Sequence, residues 1–201
     1  MADHAPNVFV WVGEGAVVPH PIVHVRVDPS VLAIPEDAFK GNFETIELHE
    51  GVRSIGDRAF YYCCFLREVL QSDGVQSIGV CAFECCCDFT KFRCPPLVTT
   101  IPSQMLNDCH NIFSLELPEN IIQVDYNAFG NCCSLRNIAL IPNTAFLYGS
   151  FEGCRDLLQI FDTEEAIEIA LQIDLMDFQF IAVPTIYHTT ILSLWKEFAI
   201  E

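Results

Sequence analysis

The sequence predicts an α/β solenoid: stacked coils with parallel strands on one face, joined by short helical or 3-10 turns. Three observations predict it. The stretch Ile55 to Cys63, IGDRAFYYC, returns as IGVCAFECC at Ile78 to Cys86, IPSQMLNDC at Ile101 to Cys109 and VDYNAFGNC at Val124 to Cys132. Weaker copies stand at Ile34 to Asn42 (IPEDAFKGN) and Phe146 to Cys154 (FLYGSFEGC). The spacing is regular: Ile55, Ile78, Ile101 and Val124 follow one another at 23 residues, and the outer intervals are 21 and 22. A fixed period of this length marks a solenoid. Finally, Val23, Val25 and Val27 alternate with His24 and Arg26, which is the period of a half-buried strand.

The elements follow in chain order. Residues 1–21 read as an N-terminal β cap, because VFVWVGEGAVV is strand-rich and an uncovered first coil would expose core and strand edge. Residues 22–161 are the solenoid. Within each coil, an extended piece ends at Ile55 or its equivalents, and Gly56, Gly79, Pro35 or Pro102 turns the chain. Ala59-Phe60 enters the expected helical turn with Phe60 as the core plug, and a strand around Val69 follows. The equivalent strands centre on Ile46, Phe92, Leu115, Ile138 and Ile160. Stacking predicts buried columns: Phe39, Phe60, Phe83, Leu106, Phe129, Phe151, and Asn42, Cys63, Cys86, Cys109, Cys132, Cys154. Residues 162–201 read as a C-terminal helical cap. Asp162 and Glu165 have capping-box spacing, and Ile191, Leu192, Leu194, Trp195, Phe198 and Ala199 share a helical face. The alternative for this segment is a helix that docks a partner.

The pattern I-G-x-x-A-F-x-x-C-x-x-L-x-x-V resembles the BspA-like class of leucine-rich repeats over about Ile22 to Phe161. The resemblance implies a curved leucine-rich-repeat array with the parallel sheet on its inner face, used to bind other macromolecules. It implies no catalytic residues. Known members include secreted bacterial surface proteins. The chain departs from the pattern at Met105-Leu106, at the irregular stretch Thr144 to Tyr148, and after Phe161.

Composition excludes some functions. There are 27 acidic against 10 basic residues, a formal charge of -17. Nucleic acid and anionic membranes need a positive footprint, so neither is expected as a partner. The N-terminus lacks a basic region followed by an apolar one, so no secretory signal is expected. No Asn-x-Ser/Thr sequon occurs. The expected location is cytoplasmic, and there the 11 cysteines default to free thiols.

The cysteines were weighed as ligands. The column Cys64, Cys87, His110, Cys133 carries soft donors, but coils about 4.8 Å apart spread four ligands too widely for one tetrahedral ion. Cys64 and Cys87, on adjacent coils, approach disulfide reach. Cys109-His110 lacks an orienting third group for nucleophilic catalysis. No cofactor, no metal and no enzymatic activity are expected, a thiol-based enzyme being the third choice of function.

The outward strand positions are the candidate binding set: Arg26, Glu47, Glu68, Leu70, Lys91, Arg93 and Glu116. Opposite charges fall on neighbouring strands as Arg26 with Glu47, Glu68 with Lys91 and Arg93 with Glu116. Such pairs also serve sheet stability alone, at about 0.2–1 kcal/mol each. The expected function is an interaction scaffold that binds a protein partner through the strand face. The runner-up is a secreted or cell-surface adhesin. Partner identity and oligomeric state are not legible.

Overall fold

The computed structural model describes residues 8–13, 15–70, 72–138, 144–147 and 149–156. Thirteen short strands, all paired in parallel, build it. The first series is β1 (Val8–Trp11), β2 (His24–Val27), β4 (Thr45–Glu47), β6 (Glu68–Leu70), β8 (Lys91–Arg93), β10 (Ser114–Glu116) and β12 (Asn137–Ile138). It forms two sheets, β1-β2-β4-β6 and β8-β10-β12. A second series lies one turn of chain further on: β3 (Ala33–Ile34), β5 (Ser54–Ile55), β7 (Ser77–Ile78), β9 (Thr100–Ile101), β11 (Gln123–Val124) and β13 (Ala145–Phe146). It too divides, into β3-β5-β7 and β9-β11-β13. The extended piece before each turn is therefore a paired strand in its own right, so each coil contributes two ladders where the sequence predicted one.

The expected helical and 3-10 turns are corrected. Among the described residues no helix of any kind forms, and residues 57–62 and their equivalents are a run of turns. The hydrogen bonds show why. Ala59, Tyr61 and Cys63 donate three residues back, to Gly56, Arg58 and Phe60. The intervening Arg58, Phe60 and Tyr62 donate instead to Val80, Ala82 and Glu84 on the next coil. A 3-10 helix needs every N–H for itself. Here alternate donors leave for the neighbour, which makes the turn a third ladder.

That alternation fixes the backbone. Arg58 and Tyr62 have φ of 51° and 60°, and the same two positions recur as Cys81 and Cys85, Gln104 and Asp108, Asn127 and Asn131, all left-handed. In the last described coil both positions are glycine, Gly149 and Gly153. Left-handed residues at this spacing prevent a right-handed helical run.

The core lies between the three ladders. Phe60 stacks on Phe39 and on Phe83 with ring centroids 4.9 Å apart in both cases. At the N-terminal end Trp11 of β1 is buried and its ring lies 4.7 Å from Phe39. Cys63, Cys86, Cys109, Cys132 and Cys154 are buried as expected. Asn42 is not: its amide is exposed, and Phe43 next to it fills the first coil. A free amide without a partner is costly to bury, whereas an aromatic ring gains from burial. The C-terminal cap expected over 162–201 lies outside the described residues.

Two adjacent coils differ from the rest. Among the described residues, neither β6 with β8 nor β7 with β9 is paired. Two sequence changes account for this seam. Phe89 and Phe92 occupy the core where the flanking coils place Leu66 and Val69, or Ile112 and Leu115. The Phe89 and Phe92 rings sit 5.8 and 5.7 Å from Phe83, so two further rings fill this coil beside the column. Then Pro102 stands where Gly56 donates to the Ile34 carbonyl at 2.8 Å and Asp125 to that of Ile101 at 2.9 Å. Proline has no N–H to offer Ile78. The turn ladder continues across the same step, through Phe83 N to Met105 O at 2.9 Å and Cys85 N to Asn107 O at 2.9 Å.

Candidate functional site

The first strand series sets the face. Its period of two buries Val25, Ile46, Phe92 and Leu115 and turns their neighbours outward. Arg26, Glu47, Glu68, Leu70, Lys91, Arg93 and Glu116 are all exposed, on β2, β4, β6, β8 and β10. The register aligns Arg26 with Glu47, Glu47 with Leu70, and Arg93 with Glu116.

The partners are partly those expected. Arg26 Nε donates to Glu47 Oε2 at 2.7 Å. Glu68 and Lys91 lie on opposite sides of the seam, and Lys91 Nζ sits over the Phe113 ring, 5.5 Å from its centroid. Arg93 stands opposite Glu116 in register and also reaches across the seam to Asp73 Oδ1 at 2.8 Å. Its guanidinium is held protonated even more firmly than usual, first by the hydrogen bond to Asp73. Arg67 Nη1 bonds Glu44 at 3.0 Å and Arg67 Nε approaches Asp88 at 3.6 Å. These pairs are solvent-exposed, so each contributes little to stability.

At the seam the face opens into a groove of about 640 Å³. Residues Arg67 to Leu70 line one side and Thr90 to Arg93 the other, with Ser114 and Glu116 beyond. Glu68, Leu70, Lys91, Arg93 and Glu116 of the expected set thus share one groove, while Arg26 and Glu47 lie further along the face. Leu70 is 49% exposed, an apolar group among charged ones.

The outer thiol column does not form a catalytic pair. His110 Nδ1 lies 4.0 Å from Cys133 Sγ but 3.0 Å from the Asn131 carbonyl. A carbonyl only accepts, so the Nδ1 proton goes there and that nitrogen is no base for the thiol. Among the described residues one group brings metal-ligating atoms together: Glu84, Cys85 and Asp108, within 4.8 Å of one another. The Asn107 amide already donates to both carboxylates, at 3.0 Å each. Burial above all pushes the Cys85 thiol up to about 11, so it remains protonated. The knot ties two coils through hydrogen bonds.

Residues 31–158 match the profile described as the BspA type leucine rich repeat region, in six copies. The chain belongs to this family. Solved leucine-rich repeat structures share the fold. A leucine-rich repeat protein of T. pallidum is 25% identical with a TM-score of 0.67, over 85% of this chain and 79% of that one. One from Bacteroides ovatus is 26% identical with a TM-score of 0.61, over 68% of this chain and 36% of that one. A leucine-rich cell surface protein from Faecalibacterium prausnitzii, 24% identical with a TM-score of 0.63, shares the fold over 71% of this chain and 40% of its own. The chain thus spans less than half the length of the last two. No curated protein matches it.

The groove was missed from sequence, although its causes were visible. Pro102 had been read only as a turn, and Phe92 only as a strand centre. Phe89 and Phe92 together in one coil are the signal: the first coil has Phe43 where Phe89 stands, but Ile46 where Phe92 stands.

Proposed function

We propose that this chain is a non-enzymatic interaction module that binds a protein partner through its outward strand face. The groove between β6 and β8 carries the reading, because five of the seven outward residues line it. An apolar centre at Leu70 with charged groups around it is the layout of many protein interfaces. Arginine is over-represented among residues that dominate binding, which makes Arg93 the expected anchor. The rival site is the segment around Trp195.

The proposed setting is the cytoplasm, supported by the 11 cysteines, all free thiols. The second reading is a secreted or cell-surface adhesin, favoured by the F. prausnitzii relative, which is a cell surface protein. Localisation of the tagged chain separates the two. For the site, a partner is captured by pull-down and its affinity compared for Arg93→Glu and Trp195→Ala, after both are checked for folding. Loss with Arg93→Glu alone supports the strand face. Loss with Trp195→Ala alone rejects it.

A further inference from the structure

Two thiols on adjacent coils meet at one end of the seam. Cys64 Sγ donates to the Cys85 carbonyl at 3.4 Å, and Cys87 Sγ donates to the same carbonyl at 3.5 Å. Their backbones are neighbours too, because Asp88 N donates to Cys64 O at 3.0 Å. Both residues are half-buried, so small solutes reach them, unlike the inner column. Sharing one acceptor places the two sulfurs on the same side of the Cys85 carbonyl, and burial, then the neighbouring Cys64, pushes the Cys87 thiol up to about 11. Adjacent parallel coils separate Cα atoms by about 4.8 Å, within the disulfide range.

Position gives the pair a consequence. Cys64 leads into β6 and Cys87 into β8, the two strands that are not paired with each other. At this step the coils are joined by Asp88 N to Cys64 O before the strands, and by the turn ladder after them. Between the two ends the strands part and the groove lies open.

We propose that Cys64 and Cys87 form a thiol–disulfide site that reacts with low-molecular-weight disulfides of the glutathione class and clamps the β6–β8 seam. In the first step Cys64, as thiolate, attacks a sulfur of the oxidised small thiol, while the Cys87 thiol, held up at about 11, keeps its proton until the second step. A mixed disulfide forms, and one small thiolate leaves and takes up the proton the protein released. In the second step the other protein thiol loses its proton and attacks the protein-side sulfur. The Cys64–Cys87 bond forms, the mixed bond breaks, and a second small thiol departs. The protein pair is oxidised by two electrons, and the small disulfide is reduced by the same two. This site is independent of the partner-binding reading, since it rests on the two thiols alone.

The test uses the full chain, folded, incubated with oxidised glutathione, then acid-quenched and alkylated without reduction. The expected product has lost two hydrogens, and peptide mapping places one disulfide between Cys64 and Cys87. Cys64→Ser and Cys87→Ser, each confirmed folded by thermal unfolding, give no such bond; Cys87→Ser stops at a mixed disulfide on Cys64, and Cys64→Ser reacts far more slowly. Amide exchange in β6 and β8 is slower in the oxidised parent than in the reduced one. A disulfide mapped to another pair, or a parent that stops at mixed disulfides, overturns the site. Unchanged exchange in β6 and β8 overturns the clamp.

Discussion

The Cys86 thiol donates to the Phe60 carbonyl, one coil back, at 3.2 Å. That carbonyl also accepts from Cys63 N at 3.1 Å, so both of its lone pairs are used. The arrangement repeats at every step of the column: Cys109 to Phe83 at 3.1 Å, Cys132 to Leu106 at 3.3 Å and Cys154 to Phe129 at 3.1 Å. A cysteine here is a small apolar filler that also supplies a donor. Burial raises the Cys86 pKa well above the ordinary value, so the donor proton stays in place. Cys86→Ala removes one of the two donors and leaves Phe60 O with the Cys63 amide alone, at an expected cost of about 0.5–1.5 kcal/mol. Chemical denaturation reads this. A midpoint equal to the parent's means the thiol bond contributes nothing.

Phe83 touches Phe60, Phe89 and Phe92, at ring separations of 4.9, 5.8 and 5.7 Å. Phe83→Ala therefore opens a cavity in the middle of the array, with a loss of about 3–5 kcal/mol. Phe151→Ala, nearer the end of the described coils, is expected to cost less. An unchanged denaturation midpoint for Phe83→Ala contradicts the stacked column.

The Asp37 carboxyl is held below its ordinary value of 3.8, first by the hydrogen bond from Arg58. A depressed carboxylate pKa adds stability above the unfolded value, and that increment disappears as pH falls through the lower, folded one. Arg58→Asn keeps a residue that tolerates the left-handed φ of 51° and removes the cation. The variant is expected to be less stable than the parent at neutral pH, and the gap to close in acid below 3.8. A gap that is constant across this range means the pair carries no folding linkage.

Pro102→Ala restores an N–H opposite the Ile78 carbonyl. If the missing donor helps hold β7 and β9 apart, the new amide exchanges slowly, as a ladder hydrogen bond would make it. Exchange at the rate of an open loop assigns the seam to the Phe89 and Phe92 rings alone.

The repeat register was legible because Ile55, Ile78, Ile101 and Val124 keep one spacing and one burial. So was the outward set, because a three-residue strand such as Lys91–Arg93 turns its ends outward about one buried centre. The second ladder was hidden because Ser54–Ile55 is two residues long, too short to show a period. The turns were misread as helical for a related reason. Arg58, Tyr62, Cys81 and Gln104 carry no mark of a left-handed backbone, which shows only in the later and first coils, at Asp37, Asp108, Asn127, Asn131, Gly149 and Gly153. Partner atoms on another coil decide those angles, and they are 20 or more residues away. The groove depends on a strand pairing lost at one step, which a pattern averaged over the repeats does not show.

A solenoid transmits cooperativity only as far as each coil grips the next. Between β6 and β8 that grip comes mainly from the turns and from side chains. Among the described residues the strand faces thus form two blocks in series, one reaching from Val8 to Ile78 and the other from Lys91 to Phe146. The core does not share the break, since Phe83 stacks on Phe60 of the first block and touches Phe92 of the second, so the interruption is confined to the strand faces.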